Sequence, residues 1–218
     1  MTFDQIKKDE AIQVYIAQAD ASLGELGFTE HSFPHVNRVA HITGYILKTM
    51  GYPDRMVELG KIAGYLHDIG NLVNRIDHSQ SGAVMAFRIL DKMDFPPNEI
   101  AAITTAIGNH DEGTGVPVSA MAAALILADK SDVRRSRVRE QKMESFDAHD
   151  RVNYSVTNSE LMVDDVKRIA KLALMVDTQF SSVMDYFEIF MKRMILCRTA
   201  AERLGLRFKL VINEQEMI

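Results

Sequence analysis

In the segment Gly64-Tyr65-Leu66-His67-Asp68-Ile69-Gly70-Asn71 an imidazole and a carboxylate stand side by side at the end of an apolar helical stretch. Neither type is usually buried without a partner. Together His67 and Asp68 offer a metal ion one nitrogen and one oxygen, and the carboxylate keeps a second oxygen for another ion. His35, His78, His110 and Asp129 extend the set to four imidazoles and two carboxylates. They fall on five predicted helical regions, the distribution expected when several helices converge on one site. Nitrogen and carboxylate oxygen without thiolate suit iron, manganese or zinc as divalent ions. A structural zinc site would normally draw on cysteine.

The order of a histidine, a His-Asp pair and a distant aspartate resembles the HD-domain metal-dependent phosphohydrolases. His35, in His35-Val36-Asn37-Arg38, matches the first histidine, His67 and Asp68 the name-giving pair, and Asp129, in Leu127-Ala128-Asp129-Lys130, the closing Ala-Asp. His78, before Gly82-Ala83, and His110, in Asn109-His110-Asp111-Glu112-Gly113, are similar to the extra histidines of the six-ligand branch that binds two metals. The likeness spans roughly residues 30–140. It implies an HD-type helical bundle and two divalent ions, iron or manganese first among them. In that assignment Asp68 bridges the ions. His35, His67 and Asp129 complete one, and His78 and His110 complete the other. Open positions hold a bridging water or hydroxide and the substrate.

The implied activity is hydrolysis of a phosphoester or phosphoanhydride in a small nucleotide-like substrate, by water activated between the two metals, with His67 and Asp68 as catalytic residues. Paired ions acidify water and neutralise phosphoryl oxygens, leaving the protein mainly positioning and charge stabilisation. Diadenosine polyphosphates are one candidate substrate. Two other functions share the ligand set: a di-iron oxygenase of the same fold, and a non-catalytic ligand-sensing HD module. Two departures stand out. Asn71 occupies a place where the family often carries lysine. Gly113-x-Gly115-x-Pro117 faintly resembles the Gly-Tyr-Pro signature of cyclic-di-GMP phosphodiesterases, but Val116 replaces the tyrosine and Asn109 the first of two histidines, so that activity is not assigned.

Lys130 and Arg134 follow Asp129 at spacings that place them near one face of a helix expected over 118–142, where they would grip substrate phosphate. Arg137 and Arg139, with Arg135, are assigned to a solvated basic face. Arg38, one turn past His35, either faces the site or pairs with an acid. Asp111 and Glu112 are candidates for orienting acids or proton carriers. His31, His41 and His149 match nothing in the pattern and are assigned surface or structural roles.

The elements that must position these groups are mostly helical. Ile12, Tyr15, Ile16, Ala19, Leu23 and Leu26 follow helical spacing, closed by Gly24 and Gly27. Ser32-Phe33-Pro34 opens a second helix that ends at Gly51. A third runs from about Arg55 to Ile69, with Gly60, Gly64 and Asp68 on one stripe, open to a close-packed helix or to metal ligands. Further helices are expected at about 80–93 and 97–109, separated by Pro96-Pro97. After about residue 150 the pattern changes. Strands are expected around 169–176 and 206–212, with a short third at Val152–Val156 and a helix from Val183 to Leu204. The predicted organisation is therefore mainly α: a helical metal-binding domain over 1–150 and a small α+β subdomain over 151–218, whose sheet edge offers a surface for a homodimer.

The chain has 218 residues, 47% hydrophobic and 25% charged, which suits a soluble globular domain with a sizeable core. A net charge of −5 disfavours nucleic acid as partner. No apolar run approaches a membrane span, and the charged N-terminus has no signal-peptide core. One cysteine, Cys197, excludes an internal disulfide and points to the cytoplasm. The expected partner is a small phosphorylated molecule.

Overall fold

The computed structural model describes residues 1–140 and 142–218. Its helices begin with α1 (Phe3–Lys8) and α2 (Glu10–Glu25). They are separate because Thr2 and Gln5 form a capping box on the first while Asp9 ends it and caps the second through Ile12 N. α3 (Phe33–Thr49) buries Val36, Val39, Ala40, Thr43, Ile46 and Leu47 along one stripe. Beside it runs α4 (Asp54–Leu66), and the closeness of the pair explains the glycine stripe. A Cβ on Gly64 would lie 2.7 Å from Ala40 Cα, and one on Gly60 would strike the Leu47 side chain. The stripe therefore serves helix packing.

A 3-10 turn (Ile69–Leu72) leads to α5 (His78–Lys92) and α6 (Pro97–Gly108). At the centre lies α7 (Ala120–Lys130), buried on every side, as its uniformly apolar sequence requires. The helix expected over 118–142 stops at Lys130. Beyond it the arginine-rich segment is held by side-chain bonds to distant carbonyls: Arg135 Nε to Tyr154 O at 2.6 Å, Arg137 Nε to Glu30 O at 2.8 Å, and Arg139 Nε to Phe28 O at 3.0 Å. Lys130, Arg134 and Arg137 consequently do not share a helical face.

The strand expected at Val152–Val156 is instead helix α8 (Ala148–Ser155), whose N-terminus Asp147 caps through Asp150 N. It runs directly into β1 (Val156–Asp164), followed by β2 (Ile169–Val176), α9 (Val183–Arg203), β3 (Arg207–Ile212) and the two-residue β4 (Gln215–Glu216). The sheet order is β1-β2-β3-β4. β1 and β2 form an antiparallel hairpin with Leu161 opposite Leu172. α9 is the crossover that makes β2 and β3 parallel, with Leu172 opposite Leu210. α9 also packs on α7, tying the sheet to the helical bundle. The outer edge of β1 faces α3: Arg38 donates to Ser159 O at 2.6 Å, and Val163 N donates to the Tyr45 hydroxyl at 3.1 Å. The fold is thus mainly α with a small C-terminal sheet. Among the described residues, no helix is long and apolar enough to cross a membrane.

Candidate metal centre and substrate cavity

The candidate ligands sit at helix ends that meet at one place. His35 opens α3, His67 caps α4, His78 opens α5, His110 follows α6, and Asp129 closes α7. Helix C-termini carry carbonyls with no intrahelical donor. His67 Nδ1 donates to Gly64 O at 2.8 Å, and His110 Nδ1 donates to Ile107 O at 2.6 Å. His78 Nδ1 donates to Arg75 O at 3.1 Å in the preceding turn. A carbonyl can only accept, so these Nδ1 atoms hold protons and the Nε2 atoms are turned to the centre.

Asp68 lies at that centre, and its two oxygens face different histidine pairs. Oδ2 is 3.5 Å from His35 Nε2 and 3.2 Å from His67 Nε2. Oδ1 is 3.5 Å from His78 Nε2 and 3.8 Å from His110 Nε2. Asp129 Oδ1 joins the first pair, 3.4 Å from His35 and 3.6 Å from His67. The six side chains are all buried. Among the described residues, two ligand-atom groups are compact enough to hold an ion, His35 with His67 and Asp129, and His67 with Asp68 and His110, each within 4.8 Å.

Surrounding groups set these orientations. Asp132, wholly buried, accepts from His35 Nδ1 at 2.8 Å. Asn71 donates to Asp68 O at 2.9 Å and to Asp68 Oδ1 at 3.1 Å, so the residue standing in the lysine's place holds the central carboxylate. Gly70 permits the 3-10 turn to touch α5: a Cβ there would lie 1.9 Å from His78 O.

The electrostatics follow from these contacts. Burial disfavours charge on His67, but Asp68 and Asp129 outweigh it and push the imidazole up to about 10. Burial likewise opposes charge on His35, yet Asp129, Asp132 and Asp68 raise it overall. Burial, aided by His110 and Arg75, takes His78 down to about 4 against the pull of Asp68. Asp68 and Asp129 are held well below the usual carboxylate range despite burial, Asp68 by His67 foremost and Asp129 by Lys130.

The donor set fits divalent cations. His110 Nε2 is buried and has no hydrogen-bond partner among the described residues. His35 Nε2 and His67 Nε2 lie only 3.3 Å apart with both Nδ1 atoms already engaged. Such a cluster of inward nitrogens and carboxylates accounts for itself when a cation replaces the protons between them.

A cavity of about 370 Å³ opens onto Asp68, His78 and Asp129. Lys130 lines it, with Nζ 2.7 Å from Asp129 Oδ2. Arg134 does not: its guanidinium binds Asp132, Ser136 and Glu30. Arg137, expected on a solvated face, is buried and reaches the cavity, with Nη1 on Asp132 O at 2.7 Å. His31 and His149, expected to stand apart from the site, also line it. Arg38 pairs with Asp132 at 3.1 Å. Asp132, Arg75, Arg193 and Phe190 lie at or around the site without any motif to announce them; the only sequence signal is the position of Asp132 three residues after Asp129.

The HD domain family profile matches residues 33–173, which span all six candidate ligands and extend into β2, and the chain belongs to that family. An uncharacterized protein of Methanocaldococcus jannaschii, MJ1020, is 25% identical over 193 residues, covering 78% of this chain and 74% of that protein. A crystal structure of a predicted HD superfamily hydrolase from an uncultured Thermotogales bacterium is 24% identical, with a TM-score of 0.46, covering 57% of this chain and 67% of that one.

Proposed function

We propose that this HD-domain protein is a metal-dependent phosphohydrolase of the two-ion type, cleaving a phosphoester or phosphoanhydride in a small nucleotide-like substrate. The observation that carries the reading is the division of Asp68, one oxygen toward His35 and His67 and the other toward His78 and His110. That division supports a carboxylate shared by two ions. Nitrogen and oxygen donors favour iron or manganese. When bound, such ions supply Lewis acidity to water and to phosphoryl oxygens.

The protein's own groups hold and orient. Asp132, Gly64 O, Arg75 O and Ile107 O orient the four imidazoles toward the centre. Lys130 places an ammonium beside Asp129 at the cavity wall, where a phosphoryl group would meet it. The cavity's volume of about 370 Å³ suits a small molecule. At its mouth Phe28 is 40% exposed, with the Arg75 guanidinium 5.6 Å from the ring centroid, a surface suited to a flat base.

The test is release of phosphate or nucleotide from a broad panel by manganese- or iron-loaded protein, with Asp68→Ala as control. Turnover lost in the variant supports the reading. Oxygen consumption by iron-loaded protein without phosphate release would replace it with the oxygenase, and ligand binding without either would replace it with a sensor.

A further inference from the structure

Between α6 and α7 the loop 109–119 carries Glu112 into the cavity, and two cations from different helices meet on its carboxylate. Lys130 Nζ, from α7, lies 2.5 Å from Oε2, and Arg193 Nη2, from α9, lies 3.3 Å from Oε1. Lys130 also touches Asp129, so this ion cluster abuts the metal centre. The Arg193 guanidinium lies over the Phe190 ring, 4.3 Å from its centroid, a cation–π contact. Its Nε is buried without a hydrogen-bond partner among the described residues. Glu112, Lys130, Phe190 and Arg193 all line the cavity that opens onto Asp68.

Two cations from separate elements, converging on one carboxylate with donor capacity to spare, match the charge and bite of a phosphoryl group. We infer that Lys130 and Arg193 form a cradle for a substrate phosphoryl group, and that Glu112 occupies it until the substrate's anion takes its place. The α+β unit then belongs to the substrate site, since α9 supplies Arg193 and Phe190. The choice of phosphate as the anion rests on the proposed hydrolase reading. The cradle's alternative is a fixed ion cluster, in which Glu112 holds the cations permanently and helps them bind.

These alternatives give opposite signs for one substitution. Binding of inorganic phosphate to the full chain, manganese-loaded and manganese-free, is measured by calorimetry, with metal content and melting temperature as controls. Arg193→Met keeps the length and the packing on Phe190 and should weaken phosphate binding about ten- to hundredfold. Arg193→Lys should fall between it and the unaltered protein. Glu112→Gln should tighten binding, because the competing charge is gone. Unchanged phosphate affinity in Arg193→Met, or weakened affinity in Glu112→Gln with metal content intact, overturns the cradle. Should phosphate binding depend on Arg193 while no panel substrate is hydrolysed, the cradle stands and the hydrolase reading fails. If turnover persists in Arg193→Met with an unchanged KM, the reverse holds.

Discussion

Asp132 Oδ2 lies 2.8 Å from His35 Nδ1, joining the buried end of the arginine-rich segment to the first histidine of the candidate metal centre. The same carboxylate meets Arg38 at 3.1 Å and Arg134 at 2.8 Å, and Arg137 at 3.8 Å. It orients the imidazole and keeps three guanidinium groups from facing one another unneutralised. Groups behind metal-ligating histidines typically govern affinity. Asp132→Asn should therefore lower metal affinity by about 10- to 100-fold with modest loss of stability. Asp132→Ala should also destabilise the fold by about 3–5 kcal/mol, because it strands buried positive charge. Metal titration and thermal melting of the two variants separate these effects.

The pH dependence of metal binding follows from His67. Its folded value of about 10 stands above the ordinary 6.5. A raised value means that charged His67 favours the metal-free fold fully below 6.5, a contribution lost as pH rises through about 10. An incoming cation must expel this proton. Manganese affinity should thus rise with pH, by about tenfold per unit for each proton released, up to about pH 10. His78, at about 4, is neutral across this range and adds no slope. Calorimetry in buffers of different ionisation enthalpy counts the protons. A pH-independent affinity between 6 and 9 would remove His67 from the ligand set.

Gly70 provides a steric test of the approach between the 3-10 turn and α5. With a Cβ 1.9 Å from His78 O and 2.4 Å from Gly82 N, Gly70→Ala cannot keep the native contact. Overpacking of this kind costs about 1–3 kcal/mol or more. The expected outcome is a lower melting temperature together with loss of the ion on the His78 side. Gly51→Ala is the comparison: its positive φ of 76° strains any side chain, yet nothing lies within 4 Å, so stability should fall while metal content stays intact.

Two of the candidate ligands could be placed at helix ends from local signals alone: Ser32-Phe33-Pro34 before His35, and the end of an apolar stripe at His67. The central helix could be read too, though not where it stops. Past Lys130 there is no apolar stripe to bury, and the arginines bond carbonyls from residues as distant as Phe28 and Tyr154. Such contacts have no periodicity, so Arg137 could not be placed in the cavity beforehand. The start of β1 was misread for a related reason. Val152 and Val156 alternate with polar residues, but the Asp147 cap favours a helix up to Ser155. Arg193 lies 64 residues from Asp129 in sequence and reaches the site only because α9 packs on α7.

Metal stoichiometry decides whether Asp68 is shared by two ions. Protein stripped of metal, reloaded with manganese and freed of excess is assayed for metal per chain. Two ions are expected in the unaltered protein, one in a His78→Ala/His110→Ala double variant, and neither held tightly in Asp68→Ala. A single ion per chain in the unaltered protein, unaffected by loss of His78 and His110, would contradict it.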